Sequence, residues 1–340
     1  MTSFEERKIA KSAQIENSDI KAKKVIIGED VVLKNIRIEA ETFIVGKNTR
    51  MNDCILLSNG EIQIGKYVQV KENSVLKAFR GVKVGHRTII DRGVLVAGLQ
   101  SEYSYFEIGN SCVLLHHSYV NCAREVIIGN KVGIGGYCLI FTHGVWQNAF
   151  KGFPVKYGKV VIKDEAWLPW HVFVMPGVTI GKGATIGGGS VIRKDIPDYA
   201  LAIGDPPKII ARDWLEKGPK KETKHELLLK VINEFRNFFY EYIGNKSIKI
   251  EEENDYFIKI KTDMGNLIYI SDNFNENLQK VQEKEFDLIS LEIPDKIKRN
   301  YNWIEIDTEL KSEKNNKLSL EFIEYLRRYG VKISDIEDQW

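Results

Sequence analysis

One step size governs the middle of this chain, and it is six residues. Ile108-Gly109, Ile128-Gly129 and Ile180-Gly181 each set an aliphatic residue before glycine. From each opener an aliphatic residue recurs six and twelve positions later: Ile108, Leu114, Val120; Ile128, Ile134, Ile140; Ile180, Ile186, Ile192. A helix repeats its face every ~3.6 residues and a strand every two, so neither yields a period of six. A three-sided coil does, because each short strand turns one aliphatic side chain inward and then meets a corner. Glycine after the inward residue suits a corner that demands positive φ or close backbone approach. Self-similarity at a fixed period marks a solenoid.

The period is clearest over residues 107–212 but begins earlier. Openers stand at Ile27, Val45, Ile64, Val84, Ile108, Ile128, Ile162 and Ile180, separated by 18, 19, 20, 24, 20, 34 and 18 residues. Eighteen residues make three hexapeptides, one full turn, so residues 25–212 predict about eight coils. Residues 1–24 are polar and read as a lead-in or a weak first coil. Gaps above eighteen predict loops pushed out at corners, the two largest at 99–107 and 141–161. Long excursions from a rigid scaffold are where function concentrates.

After Arg212 the glycine-led hexapeptides stop. Leu227, Leu228, Val231, Ile232, Phe235, Phe238, Phe239 and Tyr242 recur at helical spacing and predict a helix over 221–242. Apolar runs at 247–250, 256–261, 267–270 and 286–292 suit strands, and a second helix over 318–329 closes on Gly330. Residues 213–340 thus read as a small α+β domain with no evident site.

A net charge of +2 gives no argument for a nucleic-acid or acidic-membrane partner. The N-terminus lacks the apolar core of a signal sequence, and no run of eighteen apolar residues follows, which predicts a soluble cytoplasmic protein. Cys54, Cys112, Cys122 and Cys138 show no C-x-x-C spacing and read as reduced thiols of the coil.

Residues 160–212 carry a resemblance. The segment around Trp167-Leu-Pro-Trp-His171, the following Gly187-Gly-Gly-Ser190, and Ile203-Gly-Asp-Pro-Pro-Lys208 resemble the hexapeptide-repeat acyltransferases, in particular the galactoside, maltose, polysaccharide and xenobiotic O-acetyltransferases. The likeness is strong over 105–212, rests on repeat pattern alone over 25–104, and does not reach the C-terminal domain. It implies a left-handed parallel β-helix, an exception to right-handed crossovers. It further implies a homotrimer with sites between neighbouring prisms, acetyl-CoA as co-substrate, and no required metal.

A sugar hydroxyl attacking a thioester needs a base, and histidine titrates near working pH. Of His86, His116, His117, His143, His171 and His225, the resemblance points to His143, in Ile140-Phe-Thr-His143-Gly, as the base. His171 matches a family position where histidine is common without being the base. His116 and His117 lie one coil earlier and read either as acceptor contacts or as a solvated corner. The galactoside enzymes carry an acceptor-binding asparagine near here; Leu115 stands at the closest match and Asn121 is offset, so no asparagine is assigned. For the coenzyme, the resemblance implies Gly135 and Trp170 as lining, Gly188 as the small residue beside the pantetheine arm, and Arg193, Lys194 and Lys208 as phosphate-holding cations. Trp167 reads as a wall of the thioester pocket or as an inter-subunit packing residue. Trp146, with Phe150, Phe153 and Tyr157, sits in the longest loop, where aromatics either stack on sugar rings or pack the loop on a neighbour.

Three other functions share parts of this pattern: N-acetylation of a nucleotide-linked amino sugar, acetylation of a xenobiotic, and a non-catalytic trimeric scaffold. The β-helical carbonic anhydrases also share the fold, but their zinc needs histidines five residues apart. Adjacent residues on an extended segment, like His116 and His117, point oppositely.

Overall fold

A computed structural model describes residues 6–144, 147–214, 216, 218, 220–242, 249–254, 257–271, 274–279, 281, 285–331 and 333–335. The chain divides into two compact units near residue 217.

The first unit is a left-handed parallel β-helix. One coil shows the plan: Val126–Ile128 forms the first face, Gly133–Ile134 the second and Leu139–Phe141 the third. Each strand pairs in parallel with its counterparts in the coils before and after, so Ile108, Ile128, Ile162 and Ile180 stack in one column. The first and third faces each stack nine rungs, more than the eight coils expected. Asp19–Ile27 and Arg37–Val45 count on both, because they run around the third corner as single strands. Residues 6–24, the polar lead-in or weak first coil of the sequence, are rungs: Glu6–Ile9 pairs with residues 24–27, and Gln14–Glu16 with Val32–Lys34. At the far end Pro207–Ala211 folds back antiparallel and closes the second face.

All nine residues of the three sixfold series are at most 1% exposed. Each such burial is worth about 1.5–3 kcal/mol before conformational entropy is counted. The four cysteines are free and buried, and burial pushes the Cys138 thiol up to about 11 and that of Cys54 up to about 12.

The corners are unequal. At the first, the glycine after the inward residue is needed for close approach: a Cβ on Gly46 would stand 2.7 Å from Lys66 N of the next coil. Positive φ comes two residues later, at Asn48, Tyr67, Arg87, Ser111, Lys131, Glu165 and Gly183. A side-chain ladder ties this corner together. Lys66 N donates to His86 Nδ1 (2.8 Å), His86 N to Asn110 Oδ1 (2.7 Å), Asn110 N to Asn130 Oδ1 (2.8 Å) and Asn130 N to Asp164 Oδ1 (2.7 Å). The second corner holds its own left-handed column: Asn17, Asn35, Asp53, Asn73, Gly93, His117, Tyr137, His171 and Gly189. The third corner has no such column. Every extra residue beyond the eighteen-residue turn is spent there, between Ala97 and Tyr105 and between Phe141 and Val160 above all.

The second unit is a seven-stranded mixed sheet with helices. Its long helix spans Lys221–Tyr242, and Lys317–Leu326 continues through a 3-10 turn to Gly330, whose φ is 77°. Phe235, Leu267, Tyr269, Leu318 and Phe322 form its main core. No helix among the described residues is long and apolar enough to cross a membrane.

Candidate active site

The longest excursion leaves the prism at the third corner and is clasped by one residue. Thr142 is fully buried. Its hydroxyl donates to Asn121 O (2.7 Å) and accepts from Arg124 N (2.9 Å), both in the preceding coil. Its carbonyl accepts from Gly158 N (2.9 Å) at the far foot of the loop. Between these feet His143–Gly144 pairs antiparallel with Lys156–Tyr157, placing His143 opposite Tyr157. Position 158 has room only for glycine, since a Cβ would lie 2.5 Å from Gly177 Cα.

His143 is half-buried, and its Nδ1 lies 2.8 Å from Asn121 Oδ1. An amide oxygen only accepts, so Nδ1 is the donor of this pair, and in the neutral ring the lone pair falls to Nε2. The amide's orientation rests on two further bonds: Asn121 Nδ2 donates to Tyr119 Oη (3.1 Å), and Asn121 Oδ1 accepts from Ala123 N (3.3 Å). Tyr157 stacks on the imidazole at 5.6 Å with planes 14° apart. The Arg124 guanidinium lies over Tyr157 (4.4 Å) and over Tyr103 (4.6 Å), so it joins the two excursions.

Asn121, offset in sequence from the position of the acceptor-binding asparagine, is the partner of the imidazole. It is 5% exposed, and it aligns with Phe141, not with His143. Only the turn of the chain at Thr142 brings the amide to the ring. A buried polar residue at a strand end, one coil before the longest loop, was the available signal.

The other candidate residues fall in separate places. Phe141 and Arg193 share a column two rungs apart, roughly 10 Å along the prism axis. Arg193 is exposed, and its guanidinium lies 3.4 Å from Asp205 Oδ1. Lys194 follows it at the third corner. Lys208 is exposed on the antiparallel closing strand, opposite Ile203. Gly188 is exposed and has open space on this chain: a Cβ would meet only Trp170 O, at 3.5 Å. The fold itself therefore does not demand glycine at 188. Gly188 stands at the second corner beside Gly189, a face's width from Arg193 and Lys194 at the third. Gly135 differs: it is buried, and a Cβ would run into Trp170 N at 2.6 Å, so coil stacking alone requires glycine there.

His116, His117, Trp170 and His171 gather at the second corner around Tyr137. Tyr137 stacks on His171 (5.5 Å, 15°), and Trp170 meets His116 edge-on (4.9 Å). His116 Nδ1 lies 3.2 Å from Asp91 Oδ2, and Lys71 Nζ lies 3.1 Å from Asp91 Oδ1. Burial opposes the Asp91 charge, but Lys71, the Arg92 amide and His116 together hold its carboxyl below the usual value. This corner is separated from His143 by the width of the third face, six residues of extended chain or roughly 20 Å. Within one chain His116 and His117 do not border the groove of His143. Trp167, 39% exposed, lies on the second face against Gly133, also away from the imidazole. Trp146 lies outside the described residues. Phe150 stands fully in solvent, with Phe153 and Val155 exposed beside it. His86 belongs to the first-corner ladder, and His225 bonds to Tyr269 in the second unit.

A cleft of about 1100 Å³ in the second unit is lined by Asn266, Asp287, Tyr301, Trp303 and Asn315 among others. Its lining carries Lys298, Arg299 and Lys314 but no histidine. Chemistry, not volume, singles out the third corner.

No protein-family model matches the chain. Over 57 residues it is 49% identical to "Putative acetyltransferase SACOL2570" of Staphylococcus aureus (strain COL), which is 17% of this chain and 29% of that relative. Over 218 residues it is 25% identical to "Bifunctional protein GlmU" of Thermotoga petrophila, covering 58% of this chain and 43% of the relative. The chain thus spans less than half the length of these curated relatives. Among solved structures it is similar to LpxA, a UDP-N-acetylglucosamine acyltransferase from Bacteroides fragilis, at 19% identity and a TM-score of 0.42, covering 68% of this chain and 85% of that one. The six-residue period is thus wound into a left-handed three-sided prism, and within it one stretch of 57 residues is half identical to a relative named a putative acetyltransferase.

Proposed function

We propose that the protein is an acetyl-CoA-dependent O-acetyltransferase acting on a saccharide hydroxyl, with His143 as general base. The observation that carries this reading is the hydrogen bond from His143 Nδ1 to Asn121 Oδ1. It holds the ring in the tautomer whose Nε2 can take a proton. Acetyl-CoA supplies the acyl thioester. Nε2 accepts the acceptor's hydroxyl proton as that oxygen attacks the thioester carbonyl, and the resulting imidazolium returns the proton to the departing sulfur. The Asn121 amide oxygen stays bonded to Nδ1–H throughout and stabilises the transient positive ring. Arg193, Lys194 and Lys208, with the open backbone at Gly188, hold the coenzyme's phosphates and arm.

The working unit in this reading is a homotrimer. His116, His117 and Trp170 lie roughly 20 Å from His143 across one face. They and Trp167 can line a site with His143 only if a neighbouring copy presents them. Exposed Phe150, Phe153 and Val155 on the loop suit such a contact.

The test is thiol release from acetyl-CoA over a saccharide panel that includes amino sugars, for wild type and His143→Ala at matched oligomeric state. Acceptor-dependent release that falls ~10²- to 10⁴-fold in the variant is expected of a lost general base. Equal turnover in the two proteins removes His143 from this role. Transfer to amine but not hydroxyl acceptors replaces O- with N-acetylation.

A further inference from the structure

Arg124 stands out among the charged groups near His143. It is half-buried, held between the rings of Tyr103 and Tyr157, and its backbone N–H is clasped by Thr142. A guanidinium has five N–H donors. Among the described residues, the only side-chain hydrogen bond of Arg124 runs from Nη1 to Ala123 O (3.0 Å), and no carboxylate pairs with it. The neighbouring acid, Glu125, is taken by Arg80 and by Lys159 at 3.1 Å. From Val126 to Lys163 there is no aspartate or glutamate, whereas the loop carries Lys151, Lys156 and Lys159; in the other excursion Glu102, next to Tyr103, is exposed. Half-burying an unpaired cation is costly unless something anionic completes it.

We infer that Arg124 is a specificity residue that receives an anionic group of the acceptor, a carboxylate or phosphate on the saccharide. This rests on the proposed transferase reading. Tyr157 touches both the guanidinium and the imidazole, so an acceptor whose anion meets Arg124 has its hydroxyls in the neighbourhood of Nε2. The planar fork suits bidentate recognition of either anion, and the tyrosine rings hold that plane in place. The coenzyme's own phosphates are met by Arg193, Lys194 and Lys208 elsewhere, which leaves Arg124 for the second substrate.

The experiment follows the His143 ring signals by NMR in the full chain. Titrants are methyl β-D-glucuronide, glucose 6-phosphate and methyl β-D-glucoside, which differ in the presence and kind of anion. The expected result is that one or both anionic sugars bind at least ~10-fold more tightly than the glucoside. Which of them binds identifies carboxylate or phosphate as the source. Arg124→Gln should abolish that preference, and Arg124→Lys should retain part of it. A role confined to clamping the loops would instead weaken all three sugars together, in Lys and Gln variants alike, and overturn the proposal. So would equal binding of the glucoside, the lack of any Arg124-dependent preference, or an Arg124→Gln variant whose defect is in acetyl-CoA binding. Acetyl-CoA titrated alongside keeps the two readings apart. If it neither binds nor releases thiol while an anionic sugar still docks through Arg124, the transferase reading fails and the anion site stands.

Discussion

The three corners of the prism share one six-residue repeat but differ in how they are built. The first and second are regular in nearly every coil, with left-handed residues in columns and, at the first, side chains accepting the backbone amides of the coil before. Nothing is inserted in them. The third corner has no left-handed column, its side-chain bonds between coils are scattered rather than laddered (Phe79 N to Ser104 Oγ, Arg124 N to Thr142 Oγ1), and it carries every insertion and His143. Where corner geometry is repeated from coil to coil, chain length is fixed. Where it is not, the chain can leave and return at small cost, because loop-closure entropy grows only slowly with length. The scaffold and the candidate site therefore occupy the same solenoid without competing for the same residues.

That contrast can be broken most severely by inserting residues. One alanine placed between Asp164 and Glu165 at the first corner shifts Leu168 out of register and drives the exposed Trp167 inward. Losing the burial of Leu168 alone costs about 2–5 kcal/mol, readable as a lower denaturant midpoint. The same alanine placed after Gly152 in the third-corner loop should cost under about 0.6 kcal/mol. Comparable losses at both places would refute the contrast.

A smaller effect sharpens it. Gly183 has φ +60°, and a Cβ there would sit 2.6 Å from the Tyr199 ring. Gly183→Ala should destabilise by about 1–2 kcal/mol, whereas Gly144→Ala, where a Cβ meets nothing within 4 Å, should change thermal stability little.

The smallest effect concerns acid. Arg80, then Lys159, hold the Glu125 carboxyl below its ordinary 4.5. Since the folded value is the lower one, the stabilisation is complete above pH 4.5 and is lost as pH falls through the depressed value. Acidification should therefore loosen the feet of the third-corner loop before the coils. Hydrogen exchange at Arg124 and Gly158, compared with that at Gly65 and Gly109, would show it; uniform loosening would not fit.

How much of this was visible in one dimension follows the same division. The sixfold aliphatic step encodes the inward column directly, since each inward position is an independent burial decision made by a side chain. The place of His143 at the foot of the longest loop was legible because the step is interrupted there, whereas its role as base came from the resemblance and stands as a proposal. The first-corner glycines were half legible: the sequence allowed positive φ or close approach, and stacking of Gly46 on Lys66 N selects the second. Gly135 was read for a ligand, yet the next coil suffices to require it.

What the sequence determined by itself is thus the solenoid, its period, the position of its longest loop and the change of composition after Arg212. Each depends on a side chain's own polarity or size. The tertiary structure alone decided which residues face one another across coils: Asn121 against His143, Arg124 between Tyr103 and Tyr157, and His116 against Asp91 a full face away. Those pairings span 21 to 33 residues of chain in which the number inserted at a corner varies. Hydrogen bonds and ring contacts act only at contact distance, so no local pattern encodes them until the coils are stacked.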